Sequence, residues 1–200
     1  MRLSMTEVFR RADEFFMGNS PIHRAAASLA RALSDLGIPF AIAGAMAANA
    51  HGHVRTTADV DVLLTPEGLA RFKERWLGRG WVEIFPGSKG IRDANENVKI
   101  DVLLTGDYPG DGKPKPVRFP DPSQVTEQSP EGWPVLVLRS LLELKLASGM
   151  TAPHRPRDLD DVIQLIRANS LAADYADQLD PYVQPKYVEL WNAAQTAEDY

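Results

Sequence analysis

The sequence predicts an α/β fold whose second half is helical. Short apolar segments bounded by glycine, proline or asparagine alternate with segments of helical periodicity as far as residue 104. Residues 105–131 are rich in Gly, Pro and Asp and have no periodic apolar pattern, which is typical of a surface loop. Two strongly helical segments follow. We therefore expect an α/β core with N-terminal helices in residues 1–118 and a helical half in residues 119–200.

Composition and charge narrow the class of protein. The 200 residues are 44% hydrophobic and 24% charged, which is ordinary for a globular protein. The absence of cysteine excludes disulfides and thiolate metal sites. A net charge of −5 argues against a generally basic nucleic-acid-binding face. No apolar run approaches the ~20 residues of a membrane helix, and the acidic, amphipathic N-terminus is unlike a signal peptide. We expect a cytoplasmic protein without membrane association.

The N-terminal segment predicts two helices. Ser4 and Glu7 have the spacing of a capping box, so a first helix is expected over residues 4–17. Ser20 followed by a proline fits the N-cap and first position of a second helix over residues 21–36.

The next elements form the centre of the predicted sheet. The apolar run Phe40–Ala43 predicts a buried strand that Gly44 ends, and small residues predict a short helix over residues 45–50. A polar connection then leads into a second strand, Val60–Leu64. A helix over residues 66–78 follows, with further strands at residues 81–85 and 98–104.

Asp59 and Asp61 are the first candidate functional residues. Two residues apart on a strand, they share one face of the sheet. Like charges there repel, and a divalent cation such as Mg²⁺ would explain their proximity. The alternative is a solvated polar face. Gly44, between a strand and a helix N-terminus, predicts a phosphate-binding turn, although such a glycine is most often only a turn. Together the two features suggest nucleoside triphosphate chemistry.

Asp101 lies in the middle of the apolar strand at residues 98–104. A buried acid is costly unless it is paired or coordinated. One interpretation is an ion pair with Arg55 or Arg92. The other is a third metal-binding carboxylate on the strand beside Asp59 and Asp61.

The second half contains further charged candidates. Lys113, Lys115 and Arg118 in the long loop either contact an acidic substrate or are simply solvated, and solvation is favoured. Leucines cover most of a helix at residues 138–149, so this helix should be largely buried. Lys145 within it is interpreted as a side chain that extends to solvent.

A second C-terminal helix is predicted at residues 156–169. The aspartates in its first turns are interpreted as offsetting the helix dipole, and they are Asp158, Asp160 and Asp161. Residues 171–200 predict one or two further helices whose function the sequence does not indicate.

The glycine turn and the paired acids resemble the signature of the nucleotidyltransferase superfamily related to DNA polymerase β. A glycine-led turn precedes D-x-D on the next strand in that superfamily. The segment from Arg55 to Asp61, RTTADVD, is similar to the R-x-T-like segment of AbiEii-type toxin nucleotidyltransferases. The chain departs from the pattern at Gly44-Ala45, where the family usually has Gly-Ser or Gly-Gly, so a phosphate-binding hydroxyl is absent.

A second family feature follows in the expected order. In AbiEii-like enzymes a helical lysine precedes an R-x-[KR]-D-x-x-D segment. Lys145 and the segment Arg155–Asp161, RPRDLDD, match it. The resemblance, which covers about residues 38–170, implies that Lys145 binds the triphosphate and that Asp158 orients the triphosphate or the lysine.

The resemblance implies a nucleotidyltransferase fold, with a small mixed sheet flanked by helices, and a Mg²⁺- or Mn²⁺-dependent transfer of NMP from an NTP to an acceptor hydroxyl. Asp59, Asp61 and Asp101 would be the catalytic metal ligands, with Asp101 as ligand or base. Gly44, Ala45 and Arg55 would bind substrate. The acceptor would be tRNA or another RNA, a protein or a small molecule, and a cognate antitoxin is an implied partner. The alternative is a non-catalytic nucleotide-binding or interaction domain on the same fold.

Overall fold

The computed structural model describes residues 4–196, which form one seven-stranded sheet with helices around it. The helices are α1 (Met5–Phe16), α2 (Pro21–Asp35), α3 (Gly44–Ala50), α4 (Pro66–Trp76), α5 (Leu138–Thr151), α6 (Pro156–Ala168) and α7 (Gln184–Gln195). The strands are β1 (Ala41–Ile42), β2 (Asp59–Leu64), β3 (Trp81–Glu83), β4 (Ile91–Asp93), β5 (Val98–Leu104), β6 (Thr126–Gln128) and β7 (Pro134–Leu136). Short 3₁₀ turns occur at Pro122–Gln124 and Ala173–Gln178. No helix among the described residues has the length and apolar character needed to cross a membrane.

The sheet is mixed. Its strand order is β3-β4-β5-β2-β1-β7-β6. The β2–β5 and β1–β7 pairs are parallel, and the other four pairs are antiparallel. The last two strands come from the segment after residue 118, and the described residues beyond β7 are helical or irregular. The predicted α/β architecture with a mixed sheet and helical C-terminal residues is confirmed.

Helix capping follows the signals in the sequence. The hydroxyl of Ser4 accepts a hydrogen bond from the backbone N–H of Glu7, and Ser20 caps α2 with proline at the first helical position. The hydroxyl of Thr65 accepts a bond of 3.0 Å from the N–H of Gly68 at the start of α4. Each cap satisfies a helix donor that has no partner within the helix.

Strands β2 and β5 separate an apolar face of the sheet from a polar one. Their residues alternate between buried and half-buried, as expected when side chains project to opposite faces. The buried aliphatic set on one face is Val60, Val62, Val98, Ile100 and Val102. The charged set on the other face is Asp59, Asp61, Lys99 and Asp101.

The C-terminal helices pack tightly on one another. A Cβ atom on Gly149 of α5 would lie 2.5 Å from the side chain of Leu159 on α6, so glycine permits the close approach of the two helices. Helix α5 is buried along most of its length, as its leucines predict. Tyr187 anchors α7 in the core, and its hydroxyl donates a 3.0 Å hydrogen bond to the carbonyl of Ala172.

Candidate active site

A cavity of about 310 Å³ lies between the strand ends around β1 and β2 and helices α5 and α6. Part of its wall is apolar and comes from the long loop, β7 and α5. Its charged lining residues are Arg55, Asp59, Asp61, Lys145, Arg155, Arg157 and Asp158. Gly44 and Ala45 also line it. The fold therefore gathers into one cavity most of the residues that the sequence singled out, from segments up to about 100 positions apart.

Asp59 and Asp61 form the acidic side of the cavity. The hydroxyl of Thr57 donates a 2.8 Å hydrogen bond to Asp59 Oδ1. Asp61 is the register partner of Asp101 on the parallel strand β5. Burial raises the pKa of Asp61 to about 7, and the charges of Asp59 and Asp101 add to this effect while those of Lys145 and Arg155 oppose it. Burial first, and the neighbouring acids second, thus disfavour the ionised form of Asp61.

Gly44 fits against the carboxylate of Asp61. Its φ of +57° is in the left-handed region that favours glycine. A Cβ atom at this position would lie 1.8 Å from Asp61 Oδ2, so no side chain fits there. The N–H of Ala43 also donates a 2.9 Å hydrogen bond to the carbonyl of Asp61. The glycine turn therefore positions the acid, and it also begins α3 one residue earlier than predicted.

Asp101 is paired with a lysine on its own strand. Lys99 Nζ donates a 2.7 Å hydrogen bond to Asp101 Oδ2. The proposed pairing of Asp101 with Arg55 or Arg92 is wrong, since Arg92 donates to Asn97 and Arg55 binds elsewhere. The spacing of Lys99 and Asp101, two residues apart on one strand face, was the signal in the sequence. Asp101 does not line the cavity.

Asp161 is the centre of a buried ionic cluster. Its side chain is 1% exposed. Arg55 donates Nε and Nη2 to its two oxygens at 2.7 and 2.8 Å, and Lys145 Nζ lies 2.5 Å from Oδ2. His53 Nε2 lies 3.1 Å from Oδ1. Burial alone would raise the pKa of Asp161, but the hydrogen bond from Arg55 and the charge of Lys145 outweigh it, so the pKa is lowered.

Sequence reasoning missed this cluster. It treated Asp161 as one of three acids that offset a helix dipole, yet Asp161 is buried whereas Asp160 is exposed. The available signal was the D-x-x-D spacing, which places Asp158 and Asp161 on the same side of α6.

Lys145 is held inside the protein. Its side chain is 6% exposed, so the interpretation of a lysine extending to solvent is wrong. Besides Asp161, its Nζ lies 3.4 Å from Asp158 Oδ1, and Ser148 donates a 2.6 Å hydrogen bond to Asp158 Oδ2. The pairing of Lys145 with Asp158 is as the family resemblance implies, but Asp161 is its nearer partner.

Hydrogen bonds hold both the backbone and the side chain of Arg55. Its backbone N–H and carbonyl exchange hydrogen bonds of 2.9 Å with the side chain of Asn49. Burial lowers its pKa, but the hydrogen bond and charge of Asp161 more than offset this, and the pKa is raised overall. The guanidinium therefore stays charged and joins the segment before β2 to α6.

Arg155 and Arg157 differ from the other cavity cations. Both are exposed residues at the start of α6. Neither side chain has a hydrogen-bonding or ion-pair partner within residues 4–196, whereas Arg55 and Lys145 are engaged by Asp161.

The long loop contributes Pro109, Gly110 and Phe119 to the cavity wall. Lys115 neither contacts solvent freely nor faces the cavity. Its side chain is 5% exposed, and its Nζ donates bonds of 2.6 Å to the carbonyl of Pro109 and to Asp111 Oδ1. This lysine fastens the loop, while Lys113 and Arg118 are exposed.

Across the described residues 4–196, no group of three or more His, Cys, Asp or Glu side chains is arranged to hold a metal ion. Two carboxylates from β2, Asp59 and Asp61, line the cavity. Asp101, the third acid of the predicted metal site, is bound by Lys99 and lies outside the cavity lining.

Comparisons with known proteins give a distant structural similarity. No protein-family model matches the chain, and no curated protein sequence matches it. Among solved structures, the chain is similar to the crystal structure of ANT(2")-Ia in complex with adenylyl-2"-tobramycin. The identity is 14% and the TM-score is 0.45, with 82% of this chain and 91% of that chain covered. At this distance the similarity does not assign a function, and we base the function on the site itself.

Proposed function

We propose that this chain is a nucleotidyltransferase that transfers a nucleoside monophosphate from an NTP to an acceptor hydroxyl. The observation that carries the proposal is the parallel register of β2 and β5. It places Asp59, Asp61 and Asp101 on one face of the sheet, with the first two in a cavity that also contains basic side chains. Clustered acids facing cations suit a reaction in which a metal-bound polyphosphate is held and cleaved.

Asp59 and Asp61 fit a divalent cation of the Mg²⁺ or Mn²⁺ type. Their donor atoms are carboxylate oxygens, and burial, with the charges of Asp59 and Asp101, raises the pKa of Asp61 to about 7, so that a cation would favour its ionised form. Mg²⁺ is often bound by only one or two carboxylates, with waters and substrate phosphates as its other ligands. Two acids without a third converging side chain are compatible with that type of site. When bound, the cation would supply charge neutralisation and orientation at the phosphates.

The reaction exchanges one P–O bond for another. The acceptor hydroxyl oxygen forms a bond to the α-phosphorus, the bond from that phosphorus to the bridging oxygen of the β-phosphate breaks, and pyrophosphate leaves. The hydroxyl proton would pass to a base; the family resemblance implies Asp101, which neighbours Asp61 in the register although it lies outside the cavity lining. Lys99 would hold the Asp101 carboxylate in place.

The remaining cavity residues would bind the nucleotide. Gly44 and Ala45 would contribute backbone groups, because both line the cavity beside Asp61. Arg55, Lys145 and Asp158 also line it, and their shared contacts around Asp161 would keep them in position.

A more specific biological role is supported only by the resemblance to AbiEii-type enzymes. It is a toxin of a toxin–antitoxin pair that modifies a tRNA or other RNA, a protein or a small molecule and is neutralised by a cognate antitoxin.

A second candidate is a non-catalytic nucleotide-binding domain on the same fold. Ala45 favours it, because alanine supplies no hydroxyl to a phosphate at the turn. Asp59 and Asp61 favour the enzyme, since a binding domain has no evident need of two acids without a cationic partner on one strand face.

The test is incubation of the protein with each of the four α-labelled NTPs, Mg²⁺ and either total RNA or lysate. We expect label on an acceptor for wild type and none for Asp59→Asn combined with Asp61→Asn. Nucleotide binding without label transfer to any acceptor would favour the second candidate.

A further inference from the structure

The charges of the cavity are divided between two sides. Four cationic side chains of the described residues line it, and Asp161 neutralises two of them, Arg55 and Lys145. The other two are Arg155, the N-cap residue of α6, and Arg157 in its first turn, so they come from the helical part of the cavity wall and not from the sheet.

The cavity thus has an acidic side on β2 and a basic side near the start of α6, where Asp158 is also present but is bound by Lys145 and Ser148. Asp59 and Asp61 form no ion pair with a cation among the described residues. Arg155 and Arg157 form none with an acid there. Arg155 and Asp61 nevertheless line the same cavity. A ligand that complements both sides carries positive charge at one end and several negative charges at the other.

We propose that Arg155 and Arg157 form the phosphate-binding pair of this site and contact the outer phosphates of a metal-bound oligophosphate. Guanidinium groups bind phosphate oxygens in a bidentate fashion and remain charged. Lys145, the lysine that the family resemblance assigns to the triphosphate, is already engaged by Asp161 and Asp158. The identity of the ligand as the triphosphate of an NTP rests on the proposed function, whereas the arginine pair as a phosphate site does not.

The direct test is calorimetric binding of sodium tripolyphosphate, ATP and AMP, each with Mg²⁺. The variants are Arg155→Ala with Arg157→Ala, and the charge-conserving pair Arg155→Lys with Arg157→Lys. Arg31→Ala is the matched control, because Arg31 is an exposed arginine that lines none of the cavities described. Both α6 arginines are exposed, so the variants should fold like wild type, which circular dichroism checks.

We expect the alanine pair to weaken tripolyphosphate and ATP binding by at least about tenfold. AMP binding should change by less than about threefold, because the outer phosphates are missing. The lysine pair should recover part of the affinity, since charge is retained but the bidentate geometry is lost. Equal ATP and tripolyphosphate affinities in wild type and the alanine pair would refute the proposal, as would the absence of tripolyphosphate binding to wild type.

A second arm separates the triphosphate from the phosphate backbone of an RNA acceptor. Total RNA binding is measured on the same variants by filter retention. Loss of RNA binding with unchanged tripolyphosphate affinity would show that the arginines bind the acceptor and would overturn the proposal.

Failure of the arginine proposal is distinguishable from failure of the proposed function. NMP transfer with arginine-independent ATP binding refutes only the arginine pair. Arginine-dependent tripolyphosphate binding without transfer to any acceptor refutes only the transferase.

Discussion

Asp61 and Asp101 occupy paired positions on two adjacent parallel strands, so both carboxylates project from the same face of the sheet. Asp59 projects there as well, and of the three acids only Asp101 has a cationic partner among the described residues, Lys99, so the neighbouring acids disfavour the ionised form of Asp61. The energetic cost of this arrangement in the ligand-free protein leads to the first two predictions.

Divalent cations should stabilise the folded protein. Mg²⁺ or Mn²⁺ that binds the native acid pair raises the melting temperature by mass action. We expect a concentration-dependent shift for wild type in thermal unfolding, enhanced by ATP, and no shift for Asp59→Asn combined with Asp61→Asn. The melting temperature in buffer with a chelator and no added metal gives the baseline. A wild-type protein indifferent to both metals, with and without nucleotide, would exclude the metal site.

The contribution of Asp61 to the stability of the metal-free protein should fall as pH rises from about 4 to about 7. The pKa of Asp61 moves from an ordinary 3.8 to about 7 on folding, so the folded state binds more protons than the unfolded chain in this window. Its contribution to stability is therefore fully present below about pH 4 and is lost as pH rises to about 7, by up to about 1.4 kcal/mol per pH unit.

Asp61→Asn should remove this pH dependence and be neutral or stabilising at pH 7, although transfer activity is lost. Urea unfolding at several pH values in a chelator measures both effects. Asp35→Asn, at an exposed helical position, is the control. A strong destabilisation of Asp61→Asn at pH 7 would instead indicate a structural ion pair.

Gly44→Ala should destabilise the protein more than Gly37→Ala. Both glycines have a positive φ, +57° and +59°. Only the alanine at 44 would also collide with the carboxylate of Asp61, because nothing lies within 4 Å of a Cβ at 37. We expect about 1–2 kcal/mol for Gly37→Ala from backbone strain and a larger loss for Gly44→Ala. Denaturant unfolding measures both, and equal losses would show that the turn accommodates a side chain.

Asp161→Asn should be strongly destabilising. Removing this charge leaves the guanidinium of Arg55 and the ammonium of Lys145 without their shared partner in a buried environment, which typically costs about 3–5 kcal/mol. Asp160→Asn on the exposed side of the same helix is the matched control and should change stability by less than about 0.5 kcal/mol. Similar values for the two variants would show that Asp161 has no special structural role.

The sequence predicted the elements of the site better than their contacts. Caps such as Ser4 and the alternation of β2 are local features, so helix starts and the shared face of Asp59 and Asp61 were predictable. The pairing of Asp101 with Lys99 is also local, because the two residues are two positions apart on one strand.

The cluster around Asp161 was not predictable in the same way. It joins His53 and Arg55 to an acid more than 100 positions later, and such a contact depends on how α6 packs beside the strand ends. Likewise, strand β6 lies in a segment without apolar alternation and is specified by its antiparallel partner β7.

The parallel pairing of β1 with β7 affects the order in which the chain can fold during its synthesis. Strand β1 is made early, but the neighbour that covers its second edge ends at Leu136. Until that residue leaves the ribosome, the backbone groups of Ala41 and Ile42 that face β7 have no strand partner, and the sheet stays open on that side of β1. A chain that stops near residue 118 therefore leaves this side of the sheet open, and the strand order is complete only when the chain continues through β7.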